Sequence, residues 1–212
     1  MGNNRTMGAD DWDSRYSSTP LVWGSDPNQF FAATVESIAP GRSLDVGCGE
    51  GRNTIWLAQR GWDATGIDFS PVAIDKARQL ATHSGVEATF AVADIEIWSP
   101  EPATFDLVAW VYVHLPEPVR TEAVKRVVTG LRTGGLLVWV GHDLDNITNG
   151  VGGPQDPAVL ARVDELTAML DGLEIVEAKQ VLRNVATESG HGRSEPDKPS
   201  AAIDQLVIAR VR

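Results

Sequence analysis

The sequence predicts an α/β fold: a Rossmann-like, doubly wound sheet, mostly parallel, with an antiparallel hairpin at its C-terminal edge. Three observations predict it. Strand-like and helix-like patterns alternate from Arg42 to Leu173. A glycine-rich turn, "LDVGCGEGRN" (Leu44–Asn53), follows the first short apolar run. The last two strand-like segments have no helical pattern between them, so they pair as a hairpin.

The elements follow in order. "RSLDV" (Arg42–Val46) is the first strand, and "NTIWLAQRG" (Asn53–Gly61) has helical apolar spacing and ends at a glycine. "DATGIDF" (Asp63–Phe69) is the second strand. The helix after it has Ser70 as N-cap, Pro71 in its first turn and Gly85 as its stop. "ATFAVAD" (Ala88–Asp94) is the third strand. "FDLVAWVYV" (Phe105–Val113) is the fourth, so continuously apolar that it reads as buried on both faces. "PVRTEAVKRVVTGLRTGG" (118–135) reads as one helix, "LLVWVGHD" (Leu136–Asp143) as the fifth strand, and "PAVLARVDELTAMLDGL" (157–173) as another helix. "EIVEAKQVLR" and "AAIDQLVIARV" close the sheet, joined by the polar segment Glu188–Ser200, which is expected to be a long hairpin loop. Residues 1–10 are expected to be disordered. Residues 11–212 form a single domain, with 11–40 as an N-terminal helical lid.

Composition narrows the function classes. With 18 Lys and Arg against 29 Asp and Glu, the formal net charge is −11, which disfavours nucleic acid as a partner. Cys48 is the only cysteine, so no intramolecular disulfide forms. No apolar run approaches the length of a membrane span. A cytoplasmic protein that is a monomer or homodimer is expected.

Gly47, Gly49 and Gly51 alternate where the backbone must turn tightly or admit a ligand. A dinucleotide fingerprint needs a third glycine where Arg52 stands, and the Gly-Lys-Ser/Thr of a phosphate loop is absent. Asp45, two residues before Gly47, would repel a pyrophosphate and suits a cationic ligand. These features disfavour a nicotinamide oxidoreductase.

"LDVGCGEGRN" followed by "GIDFS" resembles the motifs of class I S-adenosylmethionine-dependent methyltransferases, and "GEGRNTIWLAQRGWDATGIDFS" is similar to their tellurite-resistance and thiopurine branch. The resemblance implies a seven-stranded sheet whose last strand is antiparallel. It also implies S-adenosyl-L-methionine as cofactor, S-adenosyl-L-homocysteine as product, and a small-molecule methyl acceptor. It places Asp45 at the cofactor's methionine end and makes Gly47, Cys48 and Gly49 the cofactor-binding loop, with the glycines letting the backbone approach and Cys48 a small residue packed there. Asp68 then faces the ribose hydroxyls, Asp94 the adenine amino group, and Phe69 and Ile95 the ring. Arg15, Tyr16 and Trp23 of the lid face the cofactor carboxylate and the pocket, and Trp110 is a cofactor contact or pocket wall.

The acceptor is expected beyond the fourth and fifth strands, where "AWVYVHLP" and "VGHDLDN" place His114 and His142 as candidate general bases. The leading expectation is methylation of a thiol, dithiol or other soft nucleophile (chalcogenide or halide). The alternatives are an O- or N-methyltransferase of a secondary metabolite, or a cofactor-binding regulatory protein without chemistry. No metal is expected, because "HDLDN" has no evident further ligands.

Overall fold

The computed structural model describes residues 8–185 and 201–212. Seven strands form one sheet: β1 (Arg42–Val46), β2 (Asp63–Asp68), β3 (Thr89–Val92), β4 (Phe105–Val111), β5 (Leu131–His142), β6 (Glu174–Asn184) and β7 (Ala201–Arg210). Their order is β3-β2-β1-β4-β5-β7-β6. The first five are parallel, and β7 pairs antiparallel with both β5 and β6. The expected fold class is therefore the observed one.

The helices are α1 (Ala9–Ser18), α2 (Gln29–Val35), α3 (Arg52–Gln59), α4 (Pro71–His83), α5 (Glu117–Val128), α6 (Asn146–Asn149) and α7 (Val163–Met169). Ser70 caps α4 as its sequence predicts, accepting from the Ala73 amide at 3.0 Å. Of the segment 1–10, residues 1–7 lie outside the described residues, while Ala9 and Asp10 begin α1. The expected loop Glu188–Ser200 also lies outside them.

Apolar layers form on both faces of the sheet. On one, Leu44, Val108, Trp110, Leu137, Trp139 and Val207 pack beneath Ala123, Val124 and Val127 of α5. On the other, Leu107, Ala109, Val138 and Ile208 pack beneath Phe31 of α2 and Trp56 and Leu57 of α3. Alternate residues of β4 fill both layers, which explains its unbroken apolar run.

Two helices are shorter than their sequence pattern. "GLRTGG" leaves α5 and enters β5, because its backbone groups pair across the sheet: Thr104 and Phe105 donate to the Gly130 carbonyl, and Gly134 donates to Val211. The segment 157–173 divides into a 3-10 turn (Pro157–Val159) and α7. The carbonyls a continuous helix would use are engaged elsewhere. Buried Arg120 takes those of Val159 and Leu160, and the Leu144 amide takes that of Ala161. Tertiary partners override local periodicity at both places.

Register gathers the chemistry at one end of the sheet. Val46 pairs with Ile67 and Trp110, Val111 with Val140, and His142 with Asp204. The glycine loop, Asp68, Tyr112, His142 and Asp204 therefore share the carboxyl edge of the parallel strands, where ligands bind in open α/β sheets.

Candidate active site

The loop after β1 is shaped by its glycines. Gly47 (φ 63°) and Gly49 (φ 55°) are left-handed. A Cβ on Gly47 would stand 2.5 Å from Val113 Cγ2, and one on Gly49 would stand 2.8 Å from the Tyr16 hydroxyl. Only glycine fits between these walls in that conformation. Cys48 turns inward: its Sγ would lie 2.8 Å from a Cβ on Gly66, so it fills the space beneath the loop and presents only its backbone to a ligand. Burial pushes its thiol well above the usual range.

Asp68 ends β2. Its Oδ2 accepts the Gly49 amide and its Oδ1 the Ser70 amide, each at 2.9 Å. Burial raises its pKa in spite of these bonds. Each oxygen keeps a further lone pair, so a diol can still donate to this carboxylate. Asp45 is 1 % exposed and accepts the Thr54 hydroxyl at 2.7 Å. Burial pushes it up to about 7 from 3.8. A buried acid poised there ionises readily when a cation arrives. The glycine cradle and the two acids therefore fit a ligand that carries an ammonium and a ribose.

The shift of Asp45 has a consequence for stability. The folded chain holds this proton more tightly than the unfolded chain does. Its contribution to stability therefore falls as pH rises from about 4 to about 7 and stays low above, a cost of at most about 4 kcal/mol. Asp45→Asn is expected to raise the melting temperature by about 5–10 °C at pH 8 and by much less at pH 4.5, while weakening cofactor binding. Thermal melts of both proteins at the two pH values check this; an equal shift at both would remove Asp45 as the cause.

The N-terminal segment covers the loop. Tyr16 is buried beside Gly49, and burial together with the Asp68 charge raises its hydroxyl pKa. Trp12 stacks on Tyr16 at 5.6 Å, and the Arg15 guanidinium lies over Trp12 and Trp23 at 5.2 and 4.8 Å. The expected lid residues thus stand together, with the Arg15 guanidinium resting on two indoles. Asp94 lies in the exposed turn after β3, where its Oδ1 accepts the Glu96 amide at 2.9 Å. Ile95 is buried in the core, and Phe69 is half-buried.

Trp110 is a correction. It is fully buried and stacked on Trp139 at 4.8 Å, so it is no pocket wall. Its indole N–H donates to the Val113 carbonyl at 3.0 Å, and Val113 packs on Gly47; Trp110 shapes the cradle from behind.

The second cluster lies past β4 and β5. Asp204, with no exposed surface, is its centre. Its Oδ1 stands 2.9 Å from His142 Nδ1, though without the alignment of a regular hydrogen bond. Its Oδ2 accepts from the Tyr112 hydroxyl at 2.5 Å and Arg183 Nε at 2.7 Å. Burial alone would raise this carboxyl, but His142, Arg183 and Tyr112 outweigh it and hold it below the usual range. Tyr112 is one of two described non-glycine residues with positive φ (58°), a conformation that aims its ring at this cluster.

The two histidines differ. Their rings stack at 5.5 Å. His114 Nε2 already accepts the His142 backbone amide at 3.3 Å, and burial together with neighbouring His142 pulls its pKa down to about 3. A base needs a free lone pair and a pKa near the working pH. His114 has neither, so it supports His142 rather than serving as the base expected from the sequence. The loop 150–156 lies against His142: a Cβ on Gly153 would come within 2.5 Å of its ring. Asp204 and Arg183 escaped the sequence reading, although an acid and a glutamine inside the apolar run "AAIDQLVIARV" are a visible signal of a buried polar site.

No described helix is long and apolar enough to cross a membrane. Residues 44–135 match a family model described as a methyltransferase domain. A ubiquinone biosynthesis O-methyltransferase of Xanthomonas euvesicatoria is 30% identical over 129 residues, covering 59% of this chain and 53% of that protein. A trans-aconitate 2-methyltransferase of Rhodopseudomonas palustris is 34% identical over 118 residues, covering 52% and 42%. The chain thus spans about half the length of the curated relatives it matches. Among solved structures, one described by the conversion of a disulfide bond into a thioacetal group during echinomycin biosynthesis superposes with a TM-score of 0.75. It is 21% identical, and the match covers 96% of this chain and 91% of that one. TehB from Haemophilus influenzae superposes with a TM-score of 0.70 at 20% identity, covering 96% and 67%. Both show the fold alone, and the tellurite branch is not singled out among these likenesses. The segment 44–135, which holds the glycine cradle, is thus similar to a methyltransferase domain, and the cofactor this likeness supports is S-adenosylmethionine.

Proposed function

We propose that the chain is an S-adenosylmethionine-dependent methyltransferase whose small-molecule acceptor is a hydroxyl or thiol that arrives protonated. The observation that carries this reading is His142 Nδ1 at 2.9 Å from the buried Asp204 carboxylate, at the same sheet edge as the glycine loop. Bound cofactor supplies a methyl group already activated on a sulfonium. The chain's own work is then to align the acceptor, exclude water and take its proton. Gly47, Gly49, Asp45 and Asp68 hold the cofactor. Tyr16 and its aromatic neighbours roof it. His142 takes the acceptor proton on Nε2, and Asp204 orients the ring and stabilises the imidazolium that forms.

Halides and chalcogenides arrive as anions and give this pair no proton to accept. Within the soft nucleophiles expected from the sequence, only thiols keep a use for it. The relative named an O-methyltransferase supports an oxygen acceptor first. Transfer of labelled methyl to a panel of phenols, thiols, a dicarboxylic acid and iodide tests the reading. Turnover with phenols or thiols, and none with iodide, is expected. Turnover with iodide alone would refute the base. No transfer to any acceptor would favour the regulatory alternative.

A further inference from the structure

The residue between the second and third glycines of the loop has no ligand-facing role. Glu50 is 4 % exposed, and both its oxygens are spent on other parts of the chain. Oε2 accepts the Val22 amide of the lid at 2.8 Å, and Oε1 pairs with Lys76 Nζ of α4 at 3.1 Å. Lys76 Nζ also donates to the carbonyls of Tyr16, of Thr19 at 2.6 Å and of Pro20 at 3.3 Å. These are the carbonyls at the end of α1 and just past it, which have no partner within the helix. One ammonium and one carboxylate thus close the lid's C-terminal half onto the glycine loop. Further contacts lie on either side. Asp13 accepts the Ser70 hydroxyl, Arg52 donates to the Trp23 carbonyl at 3.3 Å, and Asn53 Oδ1 accepts the Asn28 amide at 2.9 Å.

We infer that Glu50 and Lys76 are positioning residues that clasp the N-terminal segment over the cofactor and set how fast cofactor leaves. The inference rests on the cofactor site described above. Because the clasp shares its peptide backbone with Gly49 and Gly51, the loop that holds the cofactor and the segment that roofs it move as one unit. A ligand on the loop is then released only when the clasp opens. Lid-gated release of this kind sets turnover in many enzymes.

The test is the dissociation rate of S-adenosylhomocysteine, followed by stopped-flow tryptophan fluorescence, since Trp12 and Trp23 sit on the lid. Lys76→Met is expected to raise the rate about tenfold, and Lys76→Arg to restore most of it. Val22→Pro removes the lid amide that Glu50 accepts, along with a change in local backbone freedom, and changes no residue of the glycine loop; it is expected to raise the rate several-fold. A dissociation rate does not depend on the fraction of folded protein, so loss of stability alone does not mimic the effect. The Lys76→Met and Val22→Pro double variant should be less than multiplicative, because each opens the same clasp. Unchanged rates in both single variants, or fully multiplicative effects, would overturn the clasp. Absence of any binding to the unaltered protein would instead overturn the cofactor assignment on which it rests.

Discussion

His142→Ala will slow methyl transfer to a phenol or thiol by about 10²–10³-fold, within the range set by loss of a positioned general base. The expectation follows from the pair geometry. Nδ1 faces Asp204 Oδ1 at 2.9 Å, which leaves Nε2 as the nitrogen able to take a proton. Asp204→Asn keeps the shape but removes the charge that stabilises the imidazolium, so it should fall by a similar factor. Asp204→Ala is a poorer probe, because it also removes the carboxylate that buried Arg183 contacts at 2.7 Å. Breaking such a pair costs about 3–5 kcal/mol. The loss in His142→Ala should shrink when the acceptor is supplied already ionised, as with a thiol at high pH. His114→Ala should cost much less, through slackened positioning of His142. Initial rates with the best acceptor check all four variants; equal rates for His142→Ala and the native chain would remove the base.

Asp68→Ala should weaken binding of S-adenosylhomocysteine by about 10²–10³-fold. Two hydrogen bonds from a ribose to a charged acceptor contribute about 1.5–3 kcal/mol each. The substitution also orphans the Gly49 and Ser70 amides, now satisfied at 2.9 Å, so the glycine loop loses its tether. Asp68→Asn retains one acceptor oxygen and should fall between. A Kd for Asp68→Ala within threefold of the native value would place the ribose elsewhere.

Much of this site was legible in the sequence because its parts lie in short local patterns. Asp45, Gly47, Gly49 and Asp68 sit at strand ends that periodicity locates, and their chemistry is that of a backbone turn and two acids. The acceptor side was legible only in part. His142 ends a recognisable strand, but its partner Asp204 lies 62 residues further along, in the antiparallel strand whose register brings the two opposite each other. That register between β5 and β7 is a long-range pairing, which no local pattern encodes. Arg183 is placed in the same way, by the pairing of β6 with β7. His114 shows the converse limit: its position beside the site follows from the sequence, while its engagement with the His142 amide depends on the turn at Tyr112. Glu50 stands in a loop whose function is readable, yet its partners are Lys76, 26 residues later, and the backbone of Val22.

The measurement that tests the central claim most directly is a calorimetric titration of the purified chain with S-adenosylmethionine, S-adenosylhomocysteine and NAD. Micromolar, one-to-one binding of both sulfur compounds with none of NAD is the predicted result. Binding of neither sulfur compound, or of NAD in their place, would contradict the assignment of the glycine loop and of every role built on it.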